Sequence, residues 1–130
     1  MIVMPTIKRS VTTLPAGDLE RAKSWYAENL GLKPTAEDAS GLVYELDGGT
    51  KVCLFPSTGR ASGDHTQVSF DVEDLEAEVN GLKANGVEFE DYDLPGFTTR
   101  NSIFTEGDAK AAWLHDSEGN MICLSEGQGY

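Results

Sequence analysis

Gly49-Thr50-Lys51-Val52-Cys53-Leu54 is answered seventy positions later by Gly119-Asn120-Met121-Ile122-Cys123-Leu124. Each copy follows a turn-like cluster, Asp47-Gly48-Gly49 in one case and Asp116-Ser117-Glu118-Gly119 in the other, so each reads as the second strand of a hairpin. A second echo lies upstream. Asp18-Leu19-Glu20 opens a helical stretch that ends at Gly31, and Asp74-Leu75-Glu76 opens one that ends at Gly86. The same order of elements twice in one chain points to a duplicated module, and that reading fixes the fold before any single motif is weighed.

Working outward, the first copy carries β-branched residues over 6–14, then Asp18 as a helix N-cap. Leu19, Ala22, Tyr26 and Leu30 follow at three- and four-residue steps, with Gly31 as the C-terminal stop and Pro34 beyond it. Short strands are expected over 32–36, 42–46 and 51–55, giving β-α-β-β-β. In the second copy Val68, Phe70 and Val72 alternate with Gln67, Ser69 and Asp71, the clearest strand pattern in the chain. A helix with Leu75, Val79 and Leu82 on one side follows, then strands over 87–92, 111–115 and 121–125. Residues 93–108 are polar and interrupted, so they read as an irregular lid with a short strand around Ile103.

The 130 residues suit one domain made of two modules, 6–56 and 64–126. An apolar fraction of 39% with 25% charged residues is ordinary globular composition, which argues against disorder. With 22 acidic against 10 basic residues, a net charge of -12 repels polyanions, so nucleic acid and anionic membranes are excluded as partners. Charges follow a very short apolar opening, the reverse of a secretory signal, and no run reaches membrane-spanning length. The expectation is a cytoplasmic protein, whose two cysteines form no disulfide framework.

Two βαβββ modules, an Asp-Leu-Glu-Arg-Ala helix ending in Asn29-Leu30-Gly31-Leu32, and the phrase Trp113-Leu114-His115-Asp116-Ser117-Glu118-Gly119-Asn120 together resemble the vicinal oxygen chelate superfamily. That group includes glyoxalase I, extradiol dioxygenases, fosfomycin-modifying enzymes and bleomycin-resistance proteins. The resemblance runs from about Thr6 to Glu126. It implies an α+β fold in which two tandem modules form a cup-shaped mixed sheet with helices outside and a ligand inside, and it implies a homodimer. In metal-dependent members it further implies a divalent ion held by His, Gln or Glu from the first and last strands of each module. Those positions fall on Val11, Gln67, Cys53 and Cys123.

Val11 offers no donor atom, and thiols paired with one amide suit zinc or copper better than magnesium or manganese. No metal and no cofactor are therefore expected. Strand alternation puts Gln67, Ser69, Cys123 and Ser125 opposite Phe70, Ile122 and Leu124, so the cup side carries small polar groups. Trp113 and Phe55 reach the same side and offer aromatic stacking. His115 shares a face with Trp113, and Arg9 shares one with Val11, where its guanidinium could hold a ligand's carboxylate or phosphoryl group. The site expected from sequence is thus Arg9, Val11, Cys53, Phe55, Gln67, Ser69, Trp113, His115 and Cys123. It would serve a metal-independent protein that binds a small apolar or aromatic molecule. A metal- or thiol-dependent lyase or isomerase stays open as a second reading, with either cysteine as nucleophile, and a vestigial cup filled by its own side chains as a third.

Overall fold

The computed structural model describes the chain except for residues 1–3, 60, 62, 129 and 130. Its elements run β1 (Thr12–Ala16), α1 (Leu19–Leu30), β2 (Ala36–Asp38), β3 (Gly41–Glu45) and β4 (Lys51–Pro56). The second set is β5 (Val68–Asp71), α2 (Leu75–Ala84), β6 (Asp93–Leu94), β7 (Phe97–Thr98), β8 (Phe104–Glu106), β9 (Ala109–His115) and β10 (Met121–Glu126). Two four-stranded mixed sheets form, ordered β1-β4-β3-β2 and β5-β10-β9-β8. The fold is α+β and built from two tandem modules of matching topology.

The repeat is visible at atomic level in the two hairpin turns. Leu46 N donates to Thr50 O and Gly49 N to Leu46 O, both at 2.9 Å; seventy residues on, Asp116 N donates to Asn120 O at 3.0 Å and Gly119 N to Asp116 O at 3.2 Å. Gly49 and Gly119 take φ of 91° and 86°, a region closed to most side chains, which is why glycine stands at both places. The helices start alike too. Asp18 accepts from Arg21 N at 3.0 Å and Asp74 from Ala77 N at 3.1 Å, each satisfying one amide that the helix leaves unpaired.

One face of each sheet lies under its helix. Leu14, Tyr44, Val52 and Leu54 pack below Ala22 and Tyr26, while Phe70, Leu114, Ile122 and Leu124 pack below Leu75, Val79 and Leu82, and all belong to a single buried cluster. The modules are also joined by polar contacts. Tyr26 Oη donates to Asp116 at 2.6 Å, Asn120 Nδ2 to Pro15 O at 3.0 Å, and Asn85 Nδ2 to Glu28 O at 3.1 Å and to Asn29 Oδ1 at 2.9 Å. Glu118 accepts from Arg21 Nε at 2.8 Å, Arg21 Nη2 at 2.9 Å and Asp18 N at 2.9 Å. The Arg21 hydrogen bonds are the main reason its carboxyl falls to about 2.

Four expectations need correction. β1 begins at Thr12 rather than residue 6 and continues through Pro15 to Ala16, because Leu14 and Ala16 are the residues that can be buried against β4. Proline is tolerated there because β1 is a sheet edge, where an amide can face away from the ladder. β2 lies at Ala36–Asp38 rather than 32–36, since Leu32 N is committed to the α1 cap through Tyr26 O at 3.1 Å. The strand expected over 87–92 shrinks to one bridge, Phe89 to Leu114, with Glu90 N donating to Trp113 O at 2.9 Å. Finally, 93–108 is more regular than the single short strand expected around Ile103. It holds the β6–β7 hairpin and β8, and β8 takes the edge place beside β9.

Candidate functional site

Each sheet has a second face, turned away from its helix, and strand register assigns the residues on it. In the first sheet Thr13 lies beside Cys53 and Pro15 beside Phe55, with Val43 opposite Cys53 on the other flank. In the second, Ser69 lies beside Cys123 and Trp113 beside Cys123 on its other side. The two cysteines therefore hold equivalent places in their modules, each next to a hydroxyl residue on the parallel neighbour.

The two faces differ in what covers them. Val11 is 50% exposed and Thr13 is exposed, while Cys53 and Phe55 are half-buried. In the second module Cys123 and Ser125 are 7% and 1% exposed. Beside them Trp113 stands 5.7 Å from Tyr92 and 5.5 Å from Phe97, and Phe97 stacks on Phe104 at 4.6 Å. Trp113 Nε1 donates to Thr66 Oγ1 at 3.2 Å, so the indole has its polar partner and presents a fixed ring. Tyr92, Phe97 and Phe104 escaped the sequence reading, although three aromatic residues in an otherwise polar stretch were the available signal. Thr13 was missed although the expected strand over 6–14 contained it, because the residues there do not mark which face is which.

Not every expected residue joins these faces. Arg9 precedes β1 and is exposed, so no strand face ties it to Val11. His115 lies 3.2 Å from Glu90 through Nδ1 and lines a crevice of about 620 Å³ with Trp25, Asn29, Asn85 and Phe89, between the helix C-terminal ends. Strand alternation alone would place it with Trp113; at the strand's last residue the neighbouring Leu114–Phe89 bridge and the contact with Glu90 draw it to the crevice.

The four positions implied for a divalent ion do not suit one. Val11 has no donor. Gln67 has both ends of its amide engaged, Nε2 donating to Asn120 Oδ1 at 3.0 Å and Oε1 accepting from Met121 N at 3.3 Å. Cys123 is held as the neutral thiol because burial pushes it up, and its Sγ donates to Leu124 O at 3.6 Å. Among the described residues no group of three or more His, Cys, Asp or Glu side chains is gathered to hold a metal. Hard divalent ions favour clustered oxygen ligands, which these positions lack.

Residues 8–124 match the family described as Glyoxalase/Bleomycin resistance protein/Dioxygenase superfamily. The chain belongs to that superfamily. Solved structures of similar fold include lactoylglutathione lyase from Agrobacterium tumefaciens, 16% identical, covering 98% of this chain and 100% of that one with a TM-score of 0.70. UcmS2 is 18% identical over 92% of this chain and 98% of its own, also at 0.70. The genomically encoded fosfomycin resistance protein FosX from Listeria monocytogenes is 16% identical over 96% and 97%, at 0.67. At these identities the likeness is one of fold. No curated protein is similar enough in sequence to count as a relative. Superfamily membership fixes the architecture; the side chains on the helix-free faces decide what this member can do. No helix among the described residues is long and apolar enough to cross a membrane.

Proposed function

We propose that this superfamily member works without a metal, binding a small apolar or aromatic molecule against the helix-free faces of its sheets. The observation that carries the reading is the chemistry of the four implied ion positions: an alkyl group, two thiols and an amide whose two ends are already hydrogen-bonded. What those faces do offer is a half-buried Phe55, and a Trp113 ring held by Thr66 and flanked by Tyr92 and Phe97. Such a surface selects by shape and stacking. Val11, Cys53, Phe55, Gln67, Ser69, Trp113 and Cys123 are its proposed contacts. Arg9 lies just before β1 and could reach a ligand only from the first module's rim.

A homodimer fits the same reading, since β1 and β5 each pair on one side only, with exposed Thr13 on the first of these edges and exposed Val11 just before it. Two free cysteines suit the reducing cytoplasm. The test combines metal analysis of untagged protein with thermal unfolding against a panel of small aromatic compounds. The expected result is far less than one divalent ion per chain, with a stabilisation of about 3 kcal/mol at ligand near one hundred times its Kd. That stabilisation should survive chelator and be lost in Trp113→Ala. A stoichiometric, tightly held ion would overturn the proposal.

A further inference from the structure

Between the modules runs a groove of about 610 Å³ that the proposed function does not use, sharing only Ser69 with its surface. Leu30 and Leu32 from the end of α1, Leu46 from the β3–β4 turn, and Phe70, Val72 and Leu124 from the second module give it an apolar floor. Its charged lining is wholly acidic, Glu45, Asp47, Asp71 and Glu78, beside the hydroxyls of Thr50 and Ser69. Glu45 has a cation at 3.3 Å in Lys51, but no ion pair joins a described residue to Asp47, Asp71 or Glu78.

A groove of this volume falls within the range of small-molecule sites, and it is concave rather than a flat acidic surface. Its four carboxylates come from three separated parts of the chain: the β3–β4 hairpin, β5 and α2. All four carboxylates are exposed along the rim, where a bound cation would meet several opposite charges at once. A bare ion would leave the leucine floor unused, and an uncharged hydrocarbon would leave the carboxylates unanswered.

We infer that this groove is a second binding site, for an organic ammonium compound whose amine meets the carboxylate rim and whose apolar body lies on the Leu30, Leu46 and Leu124 floor. The occupant is a small molecule. A strand from a second copy added along the free edge of β5 would come from a chain with 22 carboxylates against 10 basic residues, a poor source of the cation this rim calls for.

The test titrates the full chain calorimetrically with 4-phenylbutylamine, 4-phenylbutanol and 4-phenylbutanoate, three probes alike in apolar body and different in charge. The ammonium should bind at least about tenfold more tightly than the alcohol, as two or three partly exposed charge contacts allow, and the carboxylate should bind more weakly still. Higher salt should close the gap between amine and alcohol. Asp71→Asn with Glu78→Gln should bring amine binding down to the level of the alcohol. Glu20→Gln with Glu106→Gln removes the same charge at exposed positions outside the groove and should leave amine binding within about twofold. Equal affinity for amine and alcohol overturns the site, as does an equal loss in the two double variants. So does a failure of all three probes accompanied by a change of oligomeric state in the groove variant. The phenyl ring of each probe can also stack at Trp113, so the titrations are repeated in Trp113→Ala: the preference for amine over alcohol should persist there, while binding lost with the indole belongs to the stacking site, and the two proposals fail separately.

Discussion

Glu118→Gln tests whether the link between the modules is electrostatic. The wild-type carboxylate is 1% exposed and collects Arg21, the Asp18 amide and the Ser117 hydroxyl, the last donating at 2.7 Å. Its carboxyl is lowered from 4.5 to about 2, first by the hydrogen bonds from Arg21. Converted at about 1.4 kcal/mol per pH unit, that difference gives a ceiling of about 3 kcal/mol. Arg21 is 57% exposed, so solvent screening lowers the net contribution to about 2 kcal/mol. Glutamine keeps the size and one carbonyl acceptor but loses the charge. The expected loss at pH 7 is therefore about 2 kcal/mol, or a Tm lower by about 5–10 °C.

The pH dependence gives the sharper test. Because the folded carboxyl titrates below its unfolded value, the stabilisation is fully present above about 4.5 and disappears as pH falls toward 2. Urea unfolding of wild type and variant, followed by far-UV circular dichroism, should show a gap that is full at pH 7, less than half as large at pH 3 and closed near pH 2. A gap that stays constant between pH 7 and 3 would mean that the introduced glutamine disturbs packing instead, and the electrostatic account would be wrong. A gap below about 0.5 kcal/mol at pH 7 would reduce the contact to an ordinary surface pair.

Three further outcomes are expected. Tyr26 and Tyr44 stack at 5.7 Å, yet Tyr26 Oη is bonded to Asp116 whereas Tyr44 Oη is buried without a partner among the described residues. Tyr26→Phe should cost about 1–3 kcal/mol in chemical denaturation while Tyr44→Phe is neutral or stabilising, because only the first breaks a hydrogen bond to a buried acceptor. Gly41 has φ of 142° and a Cβ there would run into the Leu54 carbonyl, so Gly41→Ala should lose at least about 2 kcal/mol; Gly48→Ala, with nothing within 4 Å, should stay within about 0.5 kcal/mol. In mass-spectrometric labelling with iodoacetamide at pH 7.5, half-buried Cys53 should react at least about tenfold faster than Cys123, whose burial holds it as the thiol. Faster labelling of Cys123 would revive it as a nucleophile.

Where the chain signals its own structure locally, the sequence was readable. Asp18 and Asp74 cap helices through bonds to residues three positions on, and Gly31 and Gly86 end them with φ of 65° and 87°, all within one helical turn of the signal. The hairpin turns before β4 and β10 are equally local, which is why the repeat survives as text. β1 was placed too early because its start is set by its partner: residues 6–11 carry β-branched side chains as 12–16 do, but only the latter lie opposite β4. β8 was expected only as a short strand around Ile103, slightly early, for a related reason. Three residues, Phe104–Glu106, show no convincing alternation, and they are a strand only because β9 offers an edge to them.

The same division between local and distant explains what was legible in the candidate site. Alternation along β4, β5, β9 and β10 grouped Cys53 with Phe55, and Ser69 with Cys123 and Trp113, as the strand register does, because register only repeats what period two dictates. Alternation cannot say what lies above a face. It gave the two cysteines identical standing, whereas the aromatic side chains around Trp113 and the burial of Cys123 leave the halves chemically unequal. That inequality bears directly on function: a duplicated fold begins with two equivalent faces, and this chain has committed one to aromatic packing while leaving the other, at Val11, Thr13, Cys53 and Phe55, more open. On the proposed reading the Trp113 ring, held by Thr66 and flanked by Tyr92 and Phe97, offers the better stacking partner, so Phe55→Ala should weaken binding less than Trp113→Ala when both are titrated with the same aromatic compound. Equal losses would mean that the two faces still act as a symmetric pair.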